Sequence, residues 1–192
     1  EQGKLDYEDN INKFYPNFPY KNITIRMLLT HRSGLSEYMW FCDHITDRKT
    51  PINNQDLVQL MIDKRPGINF SPNRRHDYSN TGYAILAAIV EKLTGMPFPA
   101  FMKSNVFEPL GMNNTFIFTF GSLNNKTNIA TGHLSNWFPS GHDYLDGISG
   151  DKGVYSCVND LFKWDQGLYS GKIVKLSTLE EAYTPANKEF KG

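Results

Sequence analysis

Apolar residues recur along this chain mostly at a helical period. In NTGYAILAAIVEKLTG (80–95), Ile85, Leu86, Ile89, Val90 and Leu93 fall three and four apart, which puts them in one stripe on a helix. Gly95 ends that helix and Pro97 prevents its continuation. Residues 53–64 predict a second helix, with Asn53 as cap, Asp56 at the third position, and Leu57, Leu60 and Met61 on one face. ITIRMLLTHRSG predicts a shorter one: Thr24 caps it, Leu28 and Leu29 are its apolar residues, and Gly34 lies past its end. His31 falls in its last turn, where partial positive charge suits the helix dipole, so a structural role is expected for it.

Further on, a short helix is predicted from Phe98 to about Asn105. Another, capped by Ser156, carries Leu161, Trp164 and Leu168 on one face and is followed by Gly171. Ser177 to Glu180 (STLE) reads as a capping box that opens a last helix, stopped by Pro185. Alternation appears in TFIFTF, Thr115 to Phe120, which predicts a strand, and more weakly in NIATGHL. Pro66, Gly67 and Pro72 forbid regular structure in RPGINFSPNRRHD, and residues 136–153 are mostly loop. The first stretch, through FYPNFPY, is a proline-punctuated lead-in. So little sheet fits an all-helical domain or one lobe of an α+β protein.

Composition narrows the function classes. The 192 residues fit one domain, or a large piece of a bigger one. Such a chain buries about 70% of its unfolded surface. Twenty basic and twenty acidic side chains cancel, which argues against nucleic acid or an anionic membrane as the main partner. The local cluster Lys64, Arg65, Arg74 and Arg75 reads as a solvated loop. The two cysteines, Cys42 and Cys157, allow one disulfide, and the apolar context of Cys157 suggests a small core residue. There is no transmembrane run. No Cys/His cluster suggests zinc, so no metal or cofactor is expected.

The candidate chemistry is Tyr78-Ser79-Asn80, on the shoulder of the helix that follows Asn80. Tyr-x-Asn alone is a weak signal, for it also occurs at Tyr15-Asn17 and Tyr20-Asn22. Only the third precedes an amphipathic helix. There the tyrosine and asparagine either cap the helix or form a catalytic pair. A helix N-terminus offers unpaired amide donors and a positive field, which would favour a phenolate. Asn80 brings one donor and one acceptor to the same edge. His76 reads as a surface residue, and Asn73 as one able to take a left-handed turn.

Read together, ITIRMLLTHRSGL, PGINFSPNRRHDYSNTGY, AILAAIVEKLTG, EPLGMNNT and GDKGVYSCVNDLFKWDQGL resemble the serine β-lactamase and penicillin-binding protein superfamily. The class C β-lactamase, D-aminopeptidase and esterase group is the nearest part of it. The resemblance implies an α+β fold of which residues 1–192 are a single partial domain, the central helical portion, with the main sheet largely missing. It implies acyl transfer through a serine ester. It makes Tyr78 a proton shuttle and Asn80 a contact to the substrate or the catalytic lysine. It sets Gly153, Val154, Ser156 and Asp160 on a region bordering the substrate cleft, so Lys152 and Gly153 are expected to bind substrate. Lys152 stands where class C enzymes often present an aromatic.

The family's Ser-x-x-Lys, serine and lysine one helical turn apart, is expected before Glu1. The literal match Ser149-Gly150-Asp151-Lys152 is a decoy, since Gly and Asp make a poor first turn. The third family motif is expected beyond Gly192. The chain is thus expected to be inactive by itself and to belong to a hydrolase of amides, esters or lactams. The alternative is a non-catalytic lobe that only binds substrate or partner. An exported or membrane-anchored bacterial location is implied by resemblance alone.

Overall fold

Helices form where the sequence supplies both an apolar stripe and a cap. The computed structural model describes residues 1–123 and 127–186. Asn10 caps α1 (Ile11–Phe14) by accepting from the Asn12 N–H, and Thr24 caps α2 (Ile25–Leu29) by accepting from the Met27 N–H. α3 spans Tyr38–Ile45. At α4 (Asn54–Lys64), Asn53 and Asp56 exchange side chain-to-backbone hydrogen bonds, the reciprocal arrangement expected of them. Such caps contribute about 1 kcal/mol each. α5 (Asn80–Thr94) ends on Gly95 at φ 70°, and α6 (Phe98–Met102) runs into a π-helical turn, Lys103–Phe107.

The remainder is thinner. β1 (Phe116–Ile117) pairs antiparallel with β2 (Val154–Tyr155), Phe116 opposite Tyr155 and Ile117 opposite Val154. A 3₁₀ turn (Tyr144–Gly147) precedes β2, and α7 (Val158–Tyr169) and α8 (Leu176–Tyr183) follow it. Among the described residues no single helix is long and apolar enough to cross a membrane.

The main core lies where α1 to α5 meet. Ile11, Phe18, Ile23, Leu28, Tyr38, Leu57, Ile85 and Ile148 are sealed in it. Each large aliphatic chain buried there contributes about 1.5–3 kcal/mol. Two glycines set the spacing. A Cβ on Gly82 would stand 3.3 Å from the Leu28 carbonyl, so α5 crosses close over α2. At Gly34 (φ +74°) a Cβ would fall 2.1 Å from the Phe70 carbonyl oxygen, which only glycine permits. A second, smaller core gathers Val106, Phe107, Met112 and Ile117.

Several expectations are corrected. The lead-in is not merely irregular: it holds α1 and supplies Ile11, Phe14, Tyr15 and Phe18 to the core. The strand read over 115–120 is only Phe116–Ile117, and NIATGHL contributes just the isolated bridge His133–Pro139. Cys157, not Ser156, is the N-cap of α7; the Ser156 hydroxyl bonds Thr115 instead. Cys157 is half-buried, and both cysteines are free. On the face of α7 read as Leu161, Trp164 and Leu168, the first two are exposed and Leu168 is half-buried, while the buried residues are Asp160 and Gly167. Gly167 is buried because Leu110 lies against it, where a Cβ would come within 2.5 Å. The STLE capping box does not form, since Ser177 is already inside α8; Glu1 accepts from the Lys175 N–H instead.

Candidate active site

Tyr78 sits at the entrance to α5, between the loop that ends α2 and the start of α3. Its ring is 67% exposed, so it is not a core anchor. Its hydroxyl donates to Asn80 Oδ1 at 3.0 Å. Behind it, the His31 ring lies 4.6 Å away at a tilt, and His31 Nδ1 accepts from the Ser79 N–H at 3.2 Å. His31 thus seats the tyrosine from beneath. It has left the helix: at φ 55° it belongs to the turn after α2. Burial, with the His76 charge adding to it, pushes its imidazole below the ordinary value. This corrects the dipole role expected for it, which needed a positive ring.

The loop before Tyr78 is pinned to the same turn. Asn73 adopts φ 64°, as expected, and receives two hydrogen bonds from the Arg32 guanidinium. The Asp77 N–H donates to the His31 carbonyl. His76 is exposed, its ring 5.7 Å from His31.

The N-terminus of α5 is not an open amide cradle. Ser79 makes no side-chain cap, and Glu37 takes that place from a distance. Glu37 Oε2 accepts from the Asn80 backbone N–H at 2.9 Å and from Asn80 Nδ2 at 3.3 Å. The positive field expected to favour a phenolate at Tyr78 is therefore met by a carboxylate.

Next to Glu37, the buried Tyr38 donates its hydroxyl to Asp151 Oδ2 at 2.7 Å. That bond ties the loop 149–153 to the Tyr78 region. Burial pushes the Glu37 carboxyl up, and the Asp151 charge adds to the push; burial raises Asp151 as well. Gly150 (φ +106°) presses the loop on α5: a Cβ there would stand 2.6 Å from the Tyr83 carbonyl oxygen.

Lys152 and Gly153 face a separate hollow of about 250 Å³, shared with Phe118, His142, Asp146, Val154 and Tyr155. Lys152 Nζ pairs with Asp146 Oδ1 at 3.0 Å, and His142 Nδ1 lies 3.3 Å from Asp146 Oδ2. Burial alone would raise the Asp146 carboxyl, but the Asp143 N–H, Lys152 and His142 outweigh it and hold it below the usual range. The Gly153 carbonyl accepts from the Phe118 N–H, which fixes this edge to β1. Ser149-Gly150-Asp151-Lys152 lies in no helix, and Ser149 is buried, bonded through its backbone to the Asn54 side chain. Among the described residues no cluster of His, Cys, Asp or Glu could hold a metal.

The structure thus brings Tyr78 and Asn80 into direct contact, and connects them to the Lys152–Gly153 loop through Glu37 and Tyr38 and through the packing of Gly150 on α5. The family model described as Beta-lactamase matches residues 1–191.

The chain belongs to the Beta-lactamase family.

Penicillin-binding protein 4* of Bacillus subtilis (strain 168) is 37% identical over 96% of this chain and 44% of its own length. The penicillin-binding protein of Bacillus halodurans superposes with a TM-score of 0.76 at 27% identity, over 96% of this chain and 59% of that one. D-amino acid amidase from Ochrobactrum anthropi SV3 gives 0.71 at 28% identity, over 93% and 52%. The chain spans about half the length of these relatives. The fold class read from the sequence is borne out: this is part of the α+β β-lactamase and penicillin-binding protein fold, from a superfamily of serine hydrolases.

Sequence reasoning missed Glu37, Tyr38 and the seat formed by His31. Glu37 lies 43 positions from its partner Asn80, and no local pattern marks it. Residues 36–38 are held to α5 through Thr81, equally far along the chain.

Proposed function

We propose that this Beta-lactamase-family chain supplies the proton-transfer part of a serine hydrolase acting on an amide, ester or lactam. The observation that carries the reading is the exposed Tyr78 hydroxyl held on Asn80 Oδ1. In that hydrolase the serine oxygen bonds to the substrate carbonyl carbon. Tyr78 passes the serine proton on, and the leaving amine or alcohol takes it as its bond to carbon breaks. Water then cleaves the serine ester, again with Tyr78 moving the proton. Asn80 orients the tyrosine and contacts the substrate. Lys152 and Gly153 border the substrate beside the hollow near Phe118. The amidase among the structural neighbours supports an amide as the substrate class. The reading takes the serine and lysine from the family's Ser-x-x-Lys and not from Ser149 and Lys152, since Ser149 is buried outside any helix.

A fluorophosphonate probe tests this. In the full-length protein, meaning this chain with whatever polypeptide flanks it, one serine of a Ser-x-x-Lys motif takes up the probe stoichiometrically. The 192-residue chain alone takes up none. An adduct on Ser149, or a full-length protein without any reactive serine, overturns the reading.

A further inference from the structure

Glu37 is set against α5 by more than its own side chain. The Tyr38 N–H donates to Thr81 Oγ1 at 2.7 Å, and that hydroxyl donates to the Ser36 carbonyl at 2.7 Å. Residues 36 and 38 are therefore bolted to the first turn of the helix that carries Asn80. Between them the Glu37 carboxylate meets both N–H groups of Asn80 with a single oxygen, Oε2. The other oxygen, Oε1, is buried and finds no partner among the described residues.

This arrangement decides which way the Asn80 amide faces. A side-chain amide has one accepting and one donating end. With Oε2 as an acceptor, the donating end must turn to Glu37, and the accepting end is left for Tyr78. The flipped amide would set its oxygen against a carboxylate oxygen and offer an N–H to the tyrosine. The Tyr78 oxygen would then have to accept, with a lone pair engaged. In the observed orientation it donates instead, and both lone pairs face away from Asn80; the hydroxyl takes the serine proton only as its own O–H swings off Asn80 and gives its proton to the leaving group. A proton taken up by Glu37 would sit on Oε1, since Oε2 already holds two donors, so the orientation survives it.

We propose that Glu37 is a positioning residue: by holding both N–H groups of Asn80 it aims the amide oxygen at the Tyr78 hydroxyl and keeps that hydroxyl a donor at rest. This rests on the reading of Tyr78 and Asn80 as the proton-transfer pair.

The test measures kcat and KM for hydrolysis of an activated ester by the full-length protein, with folding checked by thermal unfolding. Glu37→Ala lowers kcat about 10²-fold, the effect of a misplaced catalytic group, while KM moves less than threefold. Glu37→Gln, which keeps an accepting oxygen, recovers most of that loss. In an Asn80→Ala background, Glu37→Ala costs nothing further, because its route to the tyrosine is gone. Should Glu37→Ala unfold, Glu37→Met fills the space without an acceptor and is read the same way. An unchanged kcat in the folded variant, failure of Glu37→Gln to recover it, or an undiminished loss in the Asn80→Ala background overturns the proposal. Tyr78→Phe separates the two readings. If it retains full turnover, the proton-transfer reading itself fails; if it is inactive while Glu37→Ala is active, only the positioning role fails.

Discussion

The Tyr78 hydroxyl donates to Asn80 Oδ1 across 3.0 Å, two positions along the same chain. The pair needs little from the core: Tyr78 is 67% exposed and Asn80 is the first residue of α5. Chemistry and packing are therefore separable here, and substitutions can tell them apart.

Tyr78→Phe in the full-length protein is expected to lower kcat by about 10²–10⁴-fold, the range for a lost general acid or base. Its melting temperature stays close to that of the unsubstituted protein, because the ring and its contact with His31 remain. Parallel steady-state kinetics and calorimetry check this. Equal losses of turnover and stability would make Tyr78 a packing residue.

His31 makes the seat of Tyr78 acid-sensitive. Its imidazole is shifted below 6.5, so the folded state prefers the neutral ring, which accepts from the Ser79 N–H. As pH falls through 6.5 the unfolded chain binds a proton that the folded chain refuses, so stability declines on the acid side and is regained as pH rises. An NMR titration of His31 shows a midpoint below that of a free histidine. A midpoint above it would contradict the half-buried, accepting role.

Asp160 gives the opposite signature at lower pH. It is fully buried and accepts from the Asn114 N–H, the Thr115 hydroxyl and Lys163 Nζ. Burial alone would raise its carboxyl, but those three donors outweigh it and hold it below 3.8. Its contribution is complete above that value and disappears as pH falls through the lower folded one. Asp160→Ala is expected to cost about 2–4 kcal/mol in urea unfolding at neutral pH. The same variant shows a shallower acid-side loss than the unsubstituted chain.

Gly34→Ala is expected to destabilise the chain by about 3 kcal/mol or more. The added carbon would lie 2.1 Å from a backbone oxygen of Phe70, which cannot swing away as a side-chain tip could. Thermal unfolding of the purified variant measures it, and a loss below 1 kcal/mol would mean that the turn rearranges cheaply.

What could be read in advance followed the range of the forces involved. α4 and α5 carry their caps and stripes within a few residues, so Asn53, Asp56 and Gly95 announced them. Asn73 was legible for the same reason, as a residue type matched to its own backbone angle. At α7 the periodicity fixed which residues share a face and said nothing about which face is covered. Asp160 and Gly167 are buried by Asn114, Thr115 and Leu110, none of them local. Likewise Tyr78 and Asn80 were visible as neighbours, whereas Glu37 reaches them only through the fold.

Gly150 is a point in its loop that leaves no room for any side chain. With 2.6 Å to the Tyr83 carbonyl oxygen, no side chain can be inserted there without prising the segment off its helix. Val154, by contrast, is 57% exposed. Under the proposed role of the Lys152 loop, mutagenesis aimed at altering selectivity spares position 150 and starts from 154.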